Sequence, residues 1–191
     1  MRIVSFESVT LDGVMQAPGR PDEDPRGGFE RGGWAAPYAH PMMWEHMSSG
    51  GSGALLFGRR TYEDFFSVWP NQTDNPFTPV LNAATKYVAS RTLEEPLPWE
   101  NSRLLEGDAV DAVTELRRQP GDDDAVILGS GELVRSLLPD GLIDEFVLLI
   151  HPLVLGSGRR LFPDEGSESP LQLVESAATP TGVLIATFRP A

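Results

Sequence analysis

Cysteine is absent from this 191-residue sequence. That excludes disulfides, thiolate nucleophiles and cysteine-ligated metal, and it fits an intracellular protein. Positive charge is scarce: 15 Lys and Arg stand against 28 Asp and Glu, a formal net charge of −13. A chain of that sign is a poor partner for nucleic acid or for an anionic membrane surface. No apolar run approaches the roughly 20 residues that a membrane-spanning helix needs. The opening MRIVSFESVT lacks a charged region leading into an apolar one, so no secretory leader is expected, and the protein is expected in the cytoplasm. Histidine is limited to three residues. His40 and His46 lie near Glu45, but Pro41 interrupts that stretch and their spacing does not bring them onto one helical face, so no metal site is expected.

Hydrophobic residues make up 40% of the chain, enough for one domain with a substantial core. No linker separates two core-forming stretches, and a single domain over 1–191 is expected. Residues 16–37, QAPGRPDEDPRGGFERGGWAAP, are dominated by Pro, Gly and charge. That composition predicts a flexible surface loop with no packed core. The RGGFERGGW doublet within it resembles an RNA-binding repeat, but two copies in an acidic chain read better as a lid.

Elsewhere strands alternate with helices. Arg2–Val9 is strand-like, and Asp12–Gly13 signals a turn. A helix is expected after Pro41, a strand over Ala54–Phe57 and a helix over Thr61–Val68. WPNQTDNPFTP reads as loop; TKYVAS and SRLLE read as strands. GDAVDAVTELRRQPG is the clearest helix: Asp108 is placed to cap it, Val110, Val113 and Leu116 share a face, Arg117 and Arg118 suit its negative end, and Pro120–Gly121 end it. AVILGSGELV repeats the strand–glycine–helix arrangement. IDEFVLLIH reads as a strand buried on both faces, and LQLVESAATPTGVLIATF as an antiparallel hairpin. The sum is an α/β fold with a mostly parallel sheet and an antiparallel C-terminal edge.

Two strand–glycine–helix junctions stand out, at Gly58 and at Gly129–Ser130–Gly131. Each offers bare backbone N–H groups to an anion, and glycine permits close approach. At the first, Arg59, Arg60 and Thr61 add charge-assisted donors. If the two strands lie side by side, the pair is suited to the two phosphates of a dinucleotide. Ser90–Arg91–Thr92 follows a third strand and suits an additional phosphate monoester, such as the 2′-phosphate that separates NADPH from NADH. Two charged hydrogen bonds there would favour the phosphorylated cofactor by about a hundredfold. Read singly, each of these stretches is also ordinary connection chemistry.

Asp12 and Glu7 are the candidates for acid–base work. Asp12 follows the first strand, and its other reading is a turn-forming aspartate. Glu7 sits inside an apolar strand on the face shared by Ile3, Ser5 and Val9. A carboxylate there is costly unless it reaches water or a partner, and lining a cleft would raise its pKa. Trp34, Trp44 and Trp69 are candidates for the wall of a flat substrate's pocket or for plain core. Arg159, with Arg160, suits a substrate phosphate or exposed surface charge. His151 reads as a hydrogen-bonded structural residue.

Thr10–Gly13 (TLDG), Gly58–Glu63 (GRRTYE), Lys86–Leu93 (KYVASRTL), Leu128–Leu133 (LGSGEL) and His151–Phe162 (HPLVLGSGRRLF), in this order, resemble the dihydrofolate-reductase-like family. The likeness is to the branch typified by the C-terminal reductase domain of bacterial riboflavin biosynthesis. It implies a central sheet of about eight strands with flanking helices, NADPH as cofactor and a homodimer. It brings Arg59 and Thr61 to the phosphates and Ser90 and Arg91 to the 2′-phosphate. Gly129–Ser130–Gly131, with Glu132 and Leu133 behind it, comes to the pyrophosphate. The implied activity is hydride transfer to a small heterocyclic or carbonyl substrate, in the manner of a 5-amino-6-(5-phosphoribosylamino)uracil reductase. One departure is visible. Dihydrofolate reductases carry a carboxylate where this chain has Met42 or its neighbours, with Glu45 three residues away. Nucleotide binding without turnover, a dihydrofolate reductase and a purely structural dimer are the competing readings.

Overall fold

The computed structural model describes residues 1–48, 53–75, 77–119, 124–162, 166 and 168–191; the side chains of Trp44, His46, Met47 and Ser48 lie outside that description. Eight strands alternate with helices: β1 (Arg2–Thr10), α1 (Pro41–Ser48), β2 (Ala54–Gly58), α2 (Arg59–Val68), α3 (Phe77–Ala83), β3 (Lys86–Ala89), β4 (Ser102–Leu105), α4 (Ala109–Arg118), β5 (Asp124–Leu128), α5 (Gly131–Leu137), β6 (Glu145–His151), β7 (Leu171–Ala178) and β8 (Leu184–Pro190). They form one sheet in the order β4-β3-β2-β5-β1-β6-β8-β7. The pairs β4–β3, β3–β2 and β2–β5 are parallel, whereas β6–β8 and β8–β7 are antiparallel. The expected α/β architecture, with its closing antiparallel hairpin, is what the chain forms.

The chain divides into two compact units, Met1–Val4 with Gly50–Ile143, and Ser5–Ser49 with Asp144–Ala191. In the first, β2 is buried along Ala54–Phe57, and the apolar side chains of Ile127, Val88, Leu116, Val134 and Leu137 are buried as well. Phe57, Tyr62 and Trp99 pack ring against ring at centroid distances of 6.2–6.5 Å. The Tyr62 hydroxyl accepts the Trp99 backbone N–H at 3.0 Å, so the buried phenol is not left unpaired. Helix α4 behaves as its sequence requires. Asp108 Oδ1 accepts from Val110 N at 2.9 Å, Val113 and Leu116 are buried, and Arg117 and Arg118 occupy the last turn. The expected stop at Pro120–Gly121 lies outside the described residues.

Two boundaries differ from expectation. Helix α2 begins at Arg59 rather than Thr61, because glycine at 58 ends the strand and nothing between it and Thr61 opposes helix. Helix α3 arises where only loop was expected. Its Pro79 sits in the first turn, where a missing N–H costs no helical hydrogen bond.

In the second unit β6 is buried on both faces, as its sequence predicts, although it runs antiparallel to β8. Residues 16–37 need correction: they were expected to carry no packed core. Instead Ala17, Phe29 and Trp34 are buried with Val14, and Ala35, Leu153 and Leu155 pack against them. The organiser is Gln16, itself buried. Its amide nitrogen donates to Asp24 O and Arg26 O, each at 2.9 Å, and its Oε1 accepts from Arg159 N at 2.9 Å. Trp34 Nε1 donates to Gln16 O at 2.7 Å. Few apolar residues suffice here because one amide satisfies several backbone groups at once. Glycine at 158 is required by close approach: a Cβ there would stand 2.7 Å from Val14 Cγ1 and 2.8 Å from Phe29 Cε2.

Candidate functional site

The first unit holds every residue expected to meet a dinucleotide. Gly58 pairs with Ala89 of β3, and Leu56 with Ile127 of β5, so the carboxyl ends of three parallel strands stand in a row. The two glycine junctions are therefore neighbours, and they are tied: Gly58 N donates to Ser130 Oγ at 3.0 Å. Gly129 (φ +65°) and Ser130 (φ +69°) are both left-handed, a conformation that costs a serine energy and turns the chain sharply off β5. A side chain at Gly129 would start 3.5 Å from Thr61 Cγ2, and one at Gly58 would start 3.8 Å from Ser130 Oγ. The bare backbone makes a shallow cradle.

At its rim, no side chain among the described residues caps the start of α2, and that first turn carries no acidic residue. Arg59 Nη1 donates to Glu63 Oε2 at 2.9 Å, while Arg60 is exposed and Thr61 half-buried. Beyond β3, Ser90 Oγ accepts from Thr92 N at 3.1 Å and Leu93 N at 3.0 Å, folding the chain so that Arg91 is exposed on the turn. Gly131 and Leu133 are buried in α5, with Leu133 N donating to Ser130 O at 2.7 Å. Glu132 Oε1 lies 3.6 Å from Arg135 Nη1.

The second unit holds the acid–base and substrate candidates. Asp12 is fully engaged. Its Oδ1 accepts from Thr10 Oγ1 at 2.6 Å and Leu155 N at 3.1 Å, and its Oδ2 from Gly156 N at 2.7 Å. The Thr10 hydroxyl, helped by the two amides, lowers its pKa from 3.8 to about 2. An acid in that state is ionised throughout the neutral range and clamps two turns together. Asp12→Ala should cost about 2 kcal/mol near neutrality through three lost acceptor contacts. The folded pKa is the lower one, so this stabilisation is complete above pH 3.8 and is lost as pH falls through about 2. Urea melts of both proteins at pH 7 and at the lowest pH where they still fold measure it. A constant difference would mean the carboxylate is not the clamp.

Glu7 is the opposite case. It is buried on β1, its Oε1 has no hydrogen-bond partner among the described residues, and burial raises its pKa well above 4.5. Ser5, two positions back on the same strand face, has an equally unpartnered buried Oγ. His151 is buried, with Nδ1 2.9 Å from Leu149 O and 3.3 Å from Val9 O. Its ring meets those of Trp34 and Tyr38 edge-on at 5.1 and 5.7 Å, and burial lowers its pKa, so it stays neutral. Trp34 is thus fixed within the small core. Arg159 is exposed, with its backbone held by Gln16. The Trp44 side chain lies outside the described residues. Met43 of α1 is buried and Glu45 is exposed, so a methionine occupies the inward position of that helix. Among the described residues, no group of three or more His, Asp or Glu could hold a metal ion, and no helix is long and apolar enough to cross a membrane.

A model of the RibD C-terminal domain family matches residues 2–185. The uncharacterised YyaP of Bacillus subtilis is 30% identical over 135 residues, covering 68% of this chain and 70% of that protein. Among solved structures, a Shewanella sp. PV-4 protein provisionally named for riboflavin biosynthesis is similar at TM-score 0.68 and 24% identity, covering 100% of this chain and 99% of its own. A dihydrofolate reductase from Enterococcus faecalis, complexed with NADP(H) and RAB-propyl, is similar at TM-score 0.64 and 14% identity, covering 99% and 96%.

Proposed function

Because the chain belongs to the RibD C-terminal domain family, we propose that it is an NADPH-dependent reductase of a small heterocyclic or carbonyl substrate. One observation carries the reading: three parallel strand ends stand in a row, and the Gly58–Ser130 bond draws two glycine junctions together beside the uncapped start of α2. Such a row is where an open α/β sheet takes its ligand. The residues present fit a dinucleotide. Gly58 and Gly129 leave room that a Cβ would fill, no side chain among the described residues caps the first amides of α2, and Arg59, Arg60, Thr61, Ser90 and Arg91 supply donors.

When bound, the reduced nicotinamide supplies the hydride. The chain's own residues bind, orient and hold protons. Arg59 and Thr61 hold the phosphates with the Gly129–Ser130–Gly131 turn, and Ser90 and Arg91 select the 2′-phosphate. Asp12, held as carboxylate, fixes the turn after β1. Glu7, kept protonated by burial, is the acid that stores a proton on its carboxyl oxygen. A homodimer, which rests on the family resemblance, and a cytoplasmic location, which rests on the sequence, complete the reading. Binding of nucleotide without turnover is the second reading, favoured by the engagement of Asp12 as a clamp. A dihydrofolate reductase is the weaker alternative, since a methionine and not a carboxylate occupies the inward position of α1.

Titration with NADPH and NADH at fixed salt, followed by protein fluorescence, tests the proposal. NADPH should bind about a hundredfold tighter than NADH. Arg91→Ala should abolish the preference, and Arg59→Ala should weaken both cofactors about tenfold. Equal weak binding of the two would sink the cofactor assignment. Oxidation of bound NADPH by a panel of carbonyl and pyrimidine substrates separates the two readings.

A further inference from the structure

The opening of α2 is electrostatically adverse. The start of a helix carries partial positive charge, and this one adds Arg59 and Arg60 with no acidic residue in its first turn. Glu63, a turn further on, relieves Arg59: its Oε2 accepts from Arg59 Nη1 at 2.9 Å. Helix stability does not account for that pair. An i,i+4 pair supports a helix best with the acid nearer the N-terminus, and here the order is reversed, the arginine leading. Both side chains are partly exposed, 38% for Arg59 and 45% for Glu63, so the guanidinium can leave the carboxylate without crossing packed structure.

We infer that Glu63 is the resident counter-ion of Arg59 and sets the affinity of the site for phosphate. The inference rests on the cofactor reading above. In the free protein the carboxylate draws the Arg59 guanidinium along α2, away from the amides at the helix start. An arriving phosphate must compete with it. A dinucleotide succeeds because its remaining contacts, at the 129–131 turn and the 90–91 turn, help offset the exchange. Inorganic phosphate has no such contacts, so the carboxylate screens the site against it. Glu63 thus lowers affinity in exchange for selectivity between anions.

The experiment is a double-mutant cycle read by NADPH titration of the intact chain, with thermal melts confirming that each variant folds. Glu63→Gln should tighten NADPH binding about threefold at low salt, and the gain should shrink at 0.5 M salt, where exposed pairs are screened. In an Arg59→Ala background the same substitution should do nothing. Inorganic phosphate should compete with NADPH at lower concentration in Glu63→Gln than in the parent. If Arg59→Ala weakens binding but Glu63→Gln leaves it unchanged or weaker, the counter-ion role is wrong while the cofactor reading stands. If Arg59→Ala has no effect, both fall.

Discussion

Lys86→Met should unfold about 4 kcal/mol more easily than the parent protein, a fall of about 10 °C in Tm for a chain of this size. Lys86 is the only lysine in the sequence, and its side chain is wholly buried at the start of β3. Its three ammonium protons have three carbonyl acceptors: Ala84 O at 2.8 Å, Glu100 O at 2.9 Å and Asn82 O at 3.1 Å. The Trp99 ring covers it at 4.6 Å. Methionine fills the volume but takes the charged donor from Ala84 O and Glu100 O, while Asn82 O keeps the Asn101 Nδ2–H at 3.0 Å. Arginine should fail as well, because a planar guanidinium cannot point donors along three converging directions. Burial lowers the pKa from 10.5 to about 8, which fixes a pH signature. Between those values the native state has shed a proton that the unfolded state keeps, so parental stability should rise from pH 8 to 10.5. The Met variant should show no such rise. A second readout is chemical. An amine-directed acylating reagent should label the N-terminus but reach Lys86 only at the rate of unfolding. Fast labelling of the folded protein, or an unchanged Tm in Lys86→Met, would remove the cage from any account of stability.

That cage also marks where sequence reading stops. The strand–glycine–helix junctions at Gly58 and Gly129 were legible because every signal they carry is local: an apolar run, a glycine, then helix formers. Asp108 was legible as a cap for the same reason. The adjacency of the two junctions was only conditional until β2 and β5 paired. Lys86 read as an ordinary strand residue because its acceptors are main-chain carbonyls, which no side-chain pattern announces. Asp12 reads as an acid–base candidate or a turn former, and its clamp is not legible because the amides that hold it are 143 and 144 residues away. The small core under residues 16–37 was invisible to composition. Its average is polar, yet four apolar residues and one buried glutamine amide organise it. Side chains bonded to main-chain groups, near in sequence at Lys86 and far at Asp12, are what side-chain patterns do not announce.

Glu7→Leu should be more stable than the parent by about 3 kcal/mol at pH 8, and Glu7→Gln should separate the charge from the shape. Glu7 is 2% exposed, with an Oε1 that has no hydrogen-bond partner among the described residues and a pKa raised by burial. The sign follows from linkage. The unfolded chain ionises this group near 4.5, whereas the native protein keeps the proton to higher pH. The stabilising effect of the raised pKa is therefore fully present below 4.5 and is lost as pH rises through the native value, at up to about 1.4 kcal/mol per pH unit. Glu7→Gln removes that slope but keeps a buried polar group; leucine removes both. The same substitutions should remove turnover, with a loss of at least a hundredfold in kcat on any substrate that the parent reduces. NADPH affinity should stay unchanged, because the phosphate-binding residues lie elsewhere in the chain. A variant that gains stability while losing chemistry is the mark of a residue kept for reaction rather than for folding. If Glu7→Leu instead destabilises the protein, the carboxyl has a structural partner, and the proton must be held by another group.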